Sequence, residues 1–152
     1  MTGKDDTFHQ CDLLCPVAHV MRGVPAFVDP ETTLRAAAQA MEVQGDGVAI
    51  VLGPDGPSSI VTERDLVSAL ARQADPDAVW VADVVRPELF VVEPTMSILD
   101  AARGMTSAHI RHVPVRDKGG VVGCVASEDV VGLLGREPVG SWNSLVLLER
   151  RD

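Results

Sequence analysis

The chain contains no tyrosine, and aromatic residues make up only 3% of its 152 positions. Its core must therefore be built from valine, leucine, isoleucine, alanine and methionine. The hydrophobic fraction of 46% is ordinary for a soluble globular protein. Basic residues are scarce: 13 Lys and Arg stand against 22 Asp and Glu, a net charge of −9. A nucleic-acid backbone needs a basic face, so broad binding to DNA or RNA is not expected. The nearest approach to a basic run is Arg150-Arg151 at the tail. No apolar run reaches the roughly 18 residues of a membrane span, and none is expected. The start of the chain is polar and acidic, without the basic opening and apolar stretch of an export signal. Three cysteines, an odd number, then read as reduced thiols of a cytoplasmic protein. No Gly-x-Ser-x-Gly elbow, phosphate-binding Gly-rich loop or Gly-x-Gly-x-x-Gly is present, so no enzyme is expected.

What the chain does have is a duplication. Shifted by 64 residues, Val17–Leu70 lies over Val81–Leu134 without a gap and is identical at 15 of 54 positions. Chance would give roughly 4 at ordinary composition. Val28-Asp29-Pro30 meets Val92-Glu93-Pro94, Met41 meets Met105, Gly56 meets Gly120, and Asp65 meets Asp129.

Each copy reads as β-α-β-β-α. A short apolar run (Ala26–Val28; Leu89–Val92) ends at an acidic residue and Pro. A helix follows with apolar positions at i, i+3, i+4 and i+7: Leu34, Ala37, Ala38, Met41, then Ile98, Ala101, Ala102, Met105. Ser97 and Asp100 form a capping-box-like start for the second of these. Two apolar runs joined by Gly-bearing turns read as hairpins, Val48–Leu52 with Ser59–Val61 and Val113–Val115 with Val121–Val125. A last helix has Leu66, Ala69 and Leu70, or Val130, Leu133 and Leu134, as its expected inner face. Such a unit is too small to bury its sheet alone, so two copies packed about a pseudo-two-fold axis are expected. The resulting fold class is α/β (α+β). Its organisation is a tail at 1–16, repeats at 17–75 and 81–135, and an extension at 136–152 with an apolar run at Leu145–Leu148.

Ser-Ile-Val-Thr-Glu-Arg-Asp-Leu-Val at 59–67, Gly-Cys-Val-Ala-Ser-Glu-Asp-Val-Val at 123–131, and Ile110-Arg111-His112-Val113-Pro114-Val115 carry a resemblance to the CBS domain family, over about residues 17–134. The resemblance implies a Bateman module, two repeats forming two symmetry-related clefts that take adenine nucleotides or S-adenosyl compounds. It also implies a regulatory homodimer. AMP, ADP, ATP and S-adenosylmethionine are the candidate ligands, none of them an obligatory cofactor.

The motif has its own physical logic. A strand ends at Thr62 and a helix begins, presenting free N–H groups that suit a phosphate. Asp65, one turn on, can accept two hydrogen bonds from a ribose diol. The copies are unequal. Repeat one keeps Thr62, Arg64 and Asp65 but has Ser59 where the family has Gly. Repeat two keeps Gly123 and Asp129 but has Ala126 in place of the hydroxyl. Before the Pro-Val pair, repeat two has Arg111-His112 where repeat one has Gly47-Val48. The resemblance implies that these basic residues reach the ligand held by the other repeat. Thr62, Arg64, Asp65, Arg111 and His112 then form one competent site, and Asp129 marks a weaker one. The same residues have plainer readings: Thr62 and Asp65 as helix caps, Arg111 and His112 as solvated strand-edge residues. A structural dimerisation unit with vestigial clefts is the alternative function.

His9, Cys11, Cys15 and His19 fall within 11 residues, a ligand set that zinc favours. Their spacing matches no standard zinc motif. The other reading is a tail leading into a buried Cys15, and no metal is expected.

Overall fold

The spacing of Leu34, Ala37 and Met41 places all three on one side of a helix, α1 (Leu34–Gln44), where they are buried. Thr33 caps its start by accepting the Ala36 amide at 3.3 Å, and Gly45 closes its end at φ +75°. The computed structural model that carries this helix describes residues 13–135. Strands β1 (Ala26–Val28), β2 (Val48–Gly53) and β3 (Gly56–Thr62) form one sheet in that order, and α2 (Glu63–Ala71) follows. β1 runs parallel to β2 with Ala26 opposite Ala49. β2 runs antiparallel to β3 with Ile50 opposite Ile60.

The second repeat has α3 (Ile98–Ala108), β4 (His112–Asp117), β5 (Gly120–Ala126) and α4 (Ser127–Leu134). The α3 cap is as expected: the Asp100 amide donates to Ser97 Oγ at 3.1 Å, and the Ser97 hydroxyl donates to the Asp100 carboxylate at 2.8 Å. The β4–β5 turn places Lys118 and Gly119 both at positive φ, the geometry a tight hairpin prefers. Among the described residues the fold is mixed α+β, with four α-helices and two small sheets.

The expected strand at Leu89–Val92 is not formed, and its remnant is a single parallel bridge from Val92 to Val115. The Val92 amide donates to the Pro114 carbonyl and the Arg116 amide to that of Val92. The next ladder bond would come from the amide of residue 114, and a proline has no N–H. Ile50 occupies the matching place in repeat one, and there β1 is complete.

Each sheet is buried on both faces. Ala49, Val51 and Val61 pack with α1 and Ala69 in one core, and Val113, Val115 and Val125 pack with α3 in another. The alternate residues Val48, Ile50, Pro114 and Cys124 are buried as well. Each core also receives a residue from the segment that opens the other repeat. Val17, in a 3-10 turn, is buried in the second core, and its amide donates to the Met96 carbonyl at 2.8 Å. Val81, in the matching turn, is buried in the first core, and its amide donates to the Thr32 carbonyl at 2.8 Å.

Two expected core positions face out instead. Leu70 and Leu134 are 57% and 60% exposed, beside Val67 and Val131. α2 and α4 are short, and Leu66, Ala69, Val130 and Leu133 already meet the cores. Among the described residues no helix is long and apolar enough to cross a membrane. His9, Cys11 and Leu145–Leu148 lie outside the described residues.

Candidate functional site

β3 ends at Thr62 and α2 starts at once, so residues 62–65 stand at the mouth between the two sheets. Across from them, α3 ends and the chain turns into β4 through 109–112. Between these lies an open cleft, about 760 Å³ with its solvent-filled mouth included. It brings together all five residues expected of the competent site: Thr62, Arg64, Asp65, Arg111 and His112.

Asp65 accepts from the Thr62 amide and the Thr62 hydroxyl, both at 2.8 Å and both on Oδ2. The cap reading of this pair is therefore realised. It does not exhaust the carboxylate, because Oδ1 has no partner among the described residues. The helix start is less open than the sequence implies: the Thr62 N–H is held by Asp65, and the Glu63 N–H donates to the Gly47 carbonyl at 3.1 Å.

The cleft carries charge of both signs, with Glu63, Asp65 and Glu88 facing three arginines. Arg64, Arg86 and Arg111 all line it. Among the described residues Arg22, Arg35 and Arg103 are ion-paired, whereas these three are not. Burial, and then the neighbouring Arg111, hold the His112 imidazole below its ordinary value, so it is neutral at pH 7. His112 thus offers a hydrogen-bonding ring and not a fourth cation.

Sequence reasoning missed Glu63, Arg86, Glu88, Phe90, His109 and Ile110, which also line the cleft with Ser59 and Ile60. For His109 there was a signal. It takes the left-handed helix-end position (φ +55°) that glycine takes at Gly45, a conformation that costs a non-glycine residue about 1 kcal/mol. Phe90 is 48% exposed and offers an aromatic face to the opening.

The pseudo-symmetric cleft is different. Its own lining is Arg22, Gly45, Gly47, Ala126, Ser127 and Glu128, and it shares Glu63, Arg111 and His112 with the first cleft. Where the first cleft has His109 and Arg111 it has two glycines, and where the first has Thr62 it has Ala126. A side chain on Gly47 would collide with the Glu63 carboxylate, 2.7 Å from the Cβ position. Both oxygens of Asp129 are engaged: Oδ2 accepts the Ala126 amide at 2.7 Å and Oδ1 accepts Arg22 Nε at 2.7 Å. Arg22 also pairs with Glu128 and reaches Asp46 at 3.5 Å. Asp129 and then Glu128 keep that guanidinium firmly charged.

Cys15 is half-buried against the second core. Among the described residues no group of three His, Cys, Asp or Glu could hold a metal.

The sequence pattern of the CBS domain family matches residues 17–72 and 81–136. The CBS domain-containing protein YhcV of Bacillus subtilis is 31% identical over 117 residues, 76% of this chain and 84% of that protein. A CBS domain protein from Pyrobaculum aerophilum complexed with AMP superposes with a TM-score of 0.67 at 24% identity, covering 79% of this chain and 98% of its own. The CBS domain pair of protein MJ0100, in complex with 5′-methylthioadenosine and S-adenosyl-L-methionine, does so at 0.71 and 22%, covering 80% and 97%.

Proposed function

The chain belongs to the CBS domain family, and on that premise we propose that it is a non-catalytic regulatory module that binds an adenine nucleotide in one cleft only. The observation that carries the reading is the convergence on one cleft, with Thr62 and Asp65, of three arginines that have no ion-pair partner among the described residues. In a chain of net charge −9, carboxylate partners are plentiful, so guanidiniums left without one favour an anionic ligand. Two structural relatives hold adenosyl ligands, one of them AMP.

In this reading Asp65 Oδ1 accepts from the ribose diol, and Arg64, Arg86 and Arg111 hold phosphate oxygens. Neutral His112 adds a directional hydrogen bond, and Phe90 and Ile110 flank the base. S-adenosylmethionine has no phosphate for these guanidiniums to hold, which favours AMP, ADP or ATP over it. A thermal-shift panel tests this. The nucleotides raise the melting temperature and S-adenosylmethionine does not; stabilisation by the sulfonium alone overturns the ligand assignment.

The exposed apolar residues Val67, Leu70, Val131 and Leu134 support homodimerisation through α2 and α4. The same surface favours the second reading, a dimerisation unit with vestigial clefts. Flat thermal-shift curves together with a dimer on size-exclusion chromatography would select it. Regulation of a partner in the cytoplasm completes the proposal.

A further inference from the structure

The first cleft has an outer neighbour. A groove of about 880 Å³, its open mouth included, runs between α3 and α4 over Met105 and Val130. Arg64, His109, Ile110 and Arg111 line both the cleft and the groove and form their common wall. The two sides of that wall differ in charge. Inside the cleft Glu63, Asp65 and Glu88 oppose the arginines, whereas the groove has Arg64, His109 and Arg111 and no carboxylate.

The fold does not dictate this. The matching groove between α1 and α2 uses the same positions, with Met41 for Met105 and Leu66 for Val130. There Glu42, Asp46 and Glu63 stand where repeat two has Thr106, Ile110 and Ser127, and glycines replace His109 and Arg111. One framework thus carries carboxylates and no cation in the first repeat, and two arginines and no carboxylate in the second. His109 is kept at a cost. It holds φ +55°, which glycine takes without strain at Gly45. Its side chain is exposed and has no hydrogen-bond or ion-pair partner among the described residues. Backbone strain of this kind gathers where a side chain serves a ligand.

We propose that this wall is a polyphosphate subsite: a nucleotide seated in the cleft runs its outer phosphates over Arg64, His109 and Arg111 into the groove. The ligand class is then a nucleoside triphosphate in preference to a monophosphate. Arg86, which lines the cleft and not the groove, is left for the inner phosphate. The guanidiniums and the imidazole N–H donate to phosphate oxygens, and the groove sets no carboxylate against them. The adenosine end of this assignment rests on the nucleotide reading; the anion end does not.

Calorimetry on the full chain with ATP, AMP and inorganic triphosphate, without divalent cations, tests it. Wild-type protein binds ATP at least about tenfold more tightly than AMP, the effect of one added charge-assisted bond. His109→Gly lowers that ratio about tenfold and stays folded, because glycine takes this φ freely. Ser127→Glu gives the groove the carboxylate that Glu63 supplies in the other, and lowers the ratio by about the same factor. An ATP-to-AMP ratio near one in wild-type protein, or a ratio that neither variant moves, overturns the proposal and leaves the nucleotide reading standing. If inorganic triphosphate binds and His109→Gly weakens it while no nucleotide binds, the nucleotide reading fails and the subsite stands. If neither binds, both fall.

Discussion

Asp65 and Asp129 stand at the same place in the two repeats, yet their removal has different consequences. Asp65→Ala deletes the acceptor of two bonds from Thr62. Loss of such a cap costs about 1–2 kcal/mol. Asp129→Ala deletes the acceptor of the Ala126 amide and of Arg22. The Arg22 side chain is 37% exposed, so solvent screening limits the ion pair to about 1 kcal/mol beyond the cap. Without ligand the two variants therefore lose similar stability, a difference of about 1 kcal/mol in urea unfolding. AMP separates them. In wild-type protein, AMP at about a hundred times its dissociation constant adds ~2.7 kcal/mol. For a chain of this size that raises the melting temperature by about 5–10 °C. Asp129→Ala keeps this shift. Asp65→Ala loses two charge-assisted bonds to the ribose, about 3 kcal/mol, so affinity falls about a hundredfold. At the same AMP concentration its shift shrinks to about 1–2 °C. Scanning fluorimetry with calorimetry reads both numbers. Equal loss of the AMP shift in the two variants refutes the one-site reasoning.

Other outcomes follow from the same geometry. Arg22→Ala leaves Asp46, Glu128 and Asp129 facing one another and destabilises by about 1 kcal/mol at low salt; the deficit shrinks near 1 M salt, where the screening length is about 3 Å. Burial holds the folded His112 below its ordinary 6.5, so the unfolded chain takes up this proton first as pH falls. Its contribution is complete above pH 6.5 and is lost as pH drops below that value toward the folded one; His112→Gln flattens this part of the urea-midpoint profile. Burial, and next the Asp46 charge, push the Cys124 thiol up to about 12. In a Cys11→Ser, Cys15→Ser background it stays unmodified by a thiol reagent at neutral pH until urea unfolds the chain, and rapid native labelling would contradict its burial.

Most of the architecture is legible in the sequence because the duplication carries it. A gapless register transfers each element from one copy to the other, and local signals such as Ser97 with Asp100 fix the helix starts. The register misleads only at Leu89–Val92, where Pro114 removes a bond that matters only once two parallel strands are side by side. The cleft follows the same division. Thr62, Arg64 and Asp65 are legible as a turn motif, and Arg111 and His112 as a break in symmetry between copies. Arg86 and Phe90 were not, because contacts such as Ser59 to the Arg86 carbonyl join segments that no local pattern links. The Arg22–Asp129 pair spans 107 positions, and no local pattern announces it. One signal was present and informative after the fact: Arg22 and Arg86 are among the fifteen identities of the repeat, yet only one of them is spent on the protein itself.

The placement of Val17 and Val81 makes the halves complementary fragments and not independent modules. A cut after the first repeat deprives the upstream piece of Val81 and leaves the downstream piece without Val17, each opening a hole the size of a valine in the middle of a core. Loss of the leading segment therefore damages the far half of the chain before the near one, and a single cooperative unfolding transition is expected of the intact chain. Separately made pieces are therefore expected to regain structure only when mixed, and an exchange of leading segments between two copies would fill the same two holes.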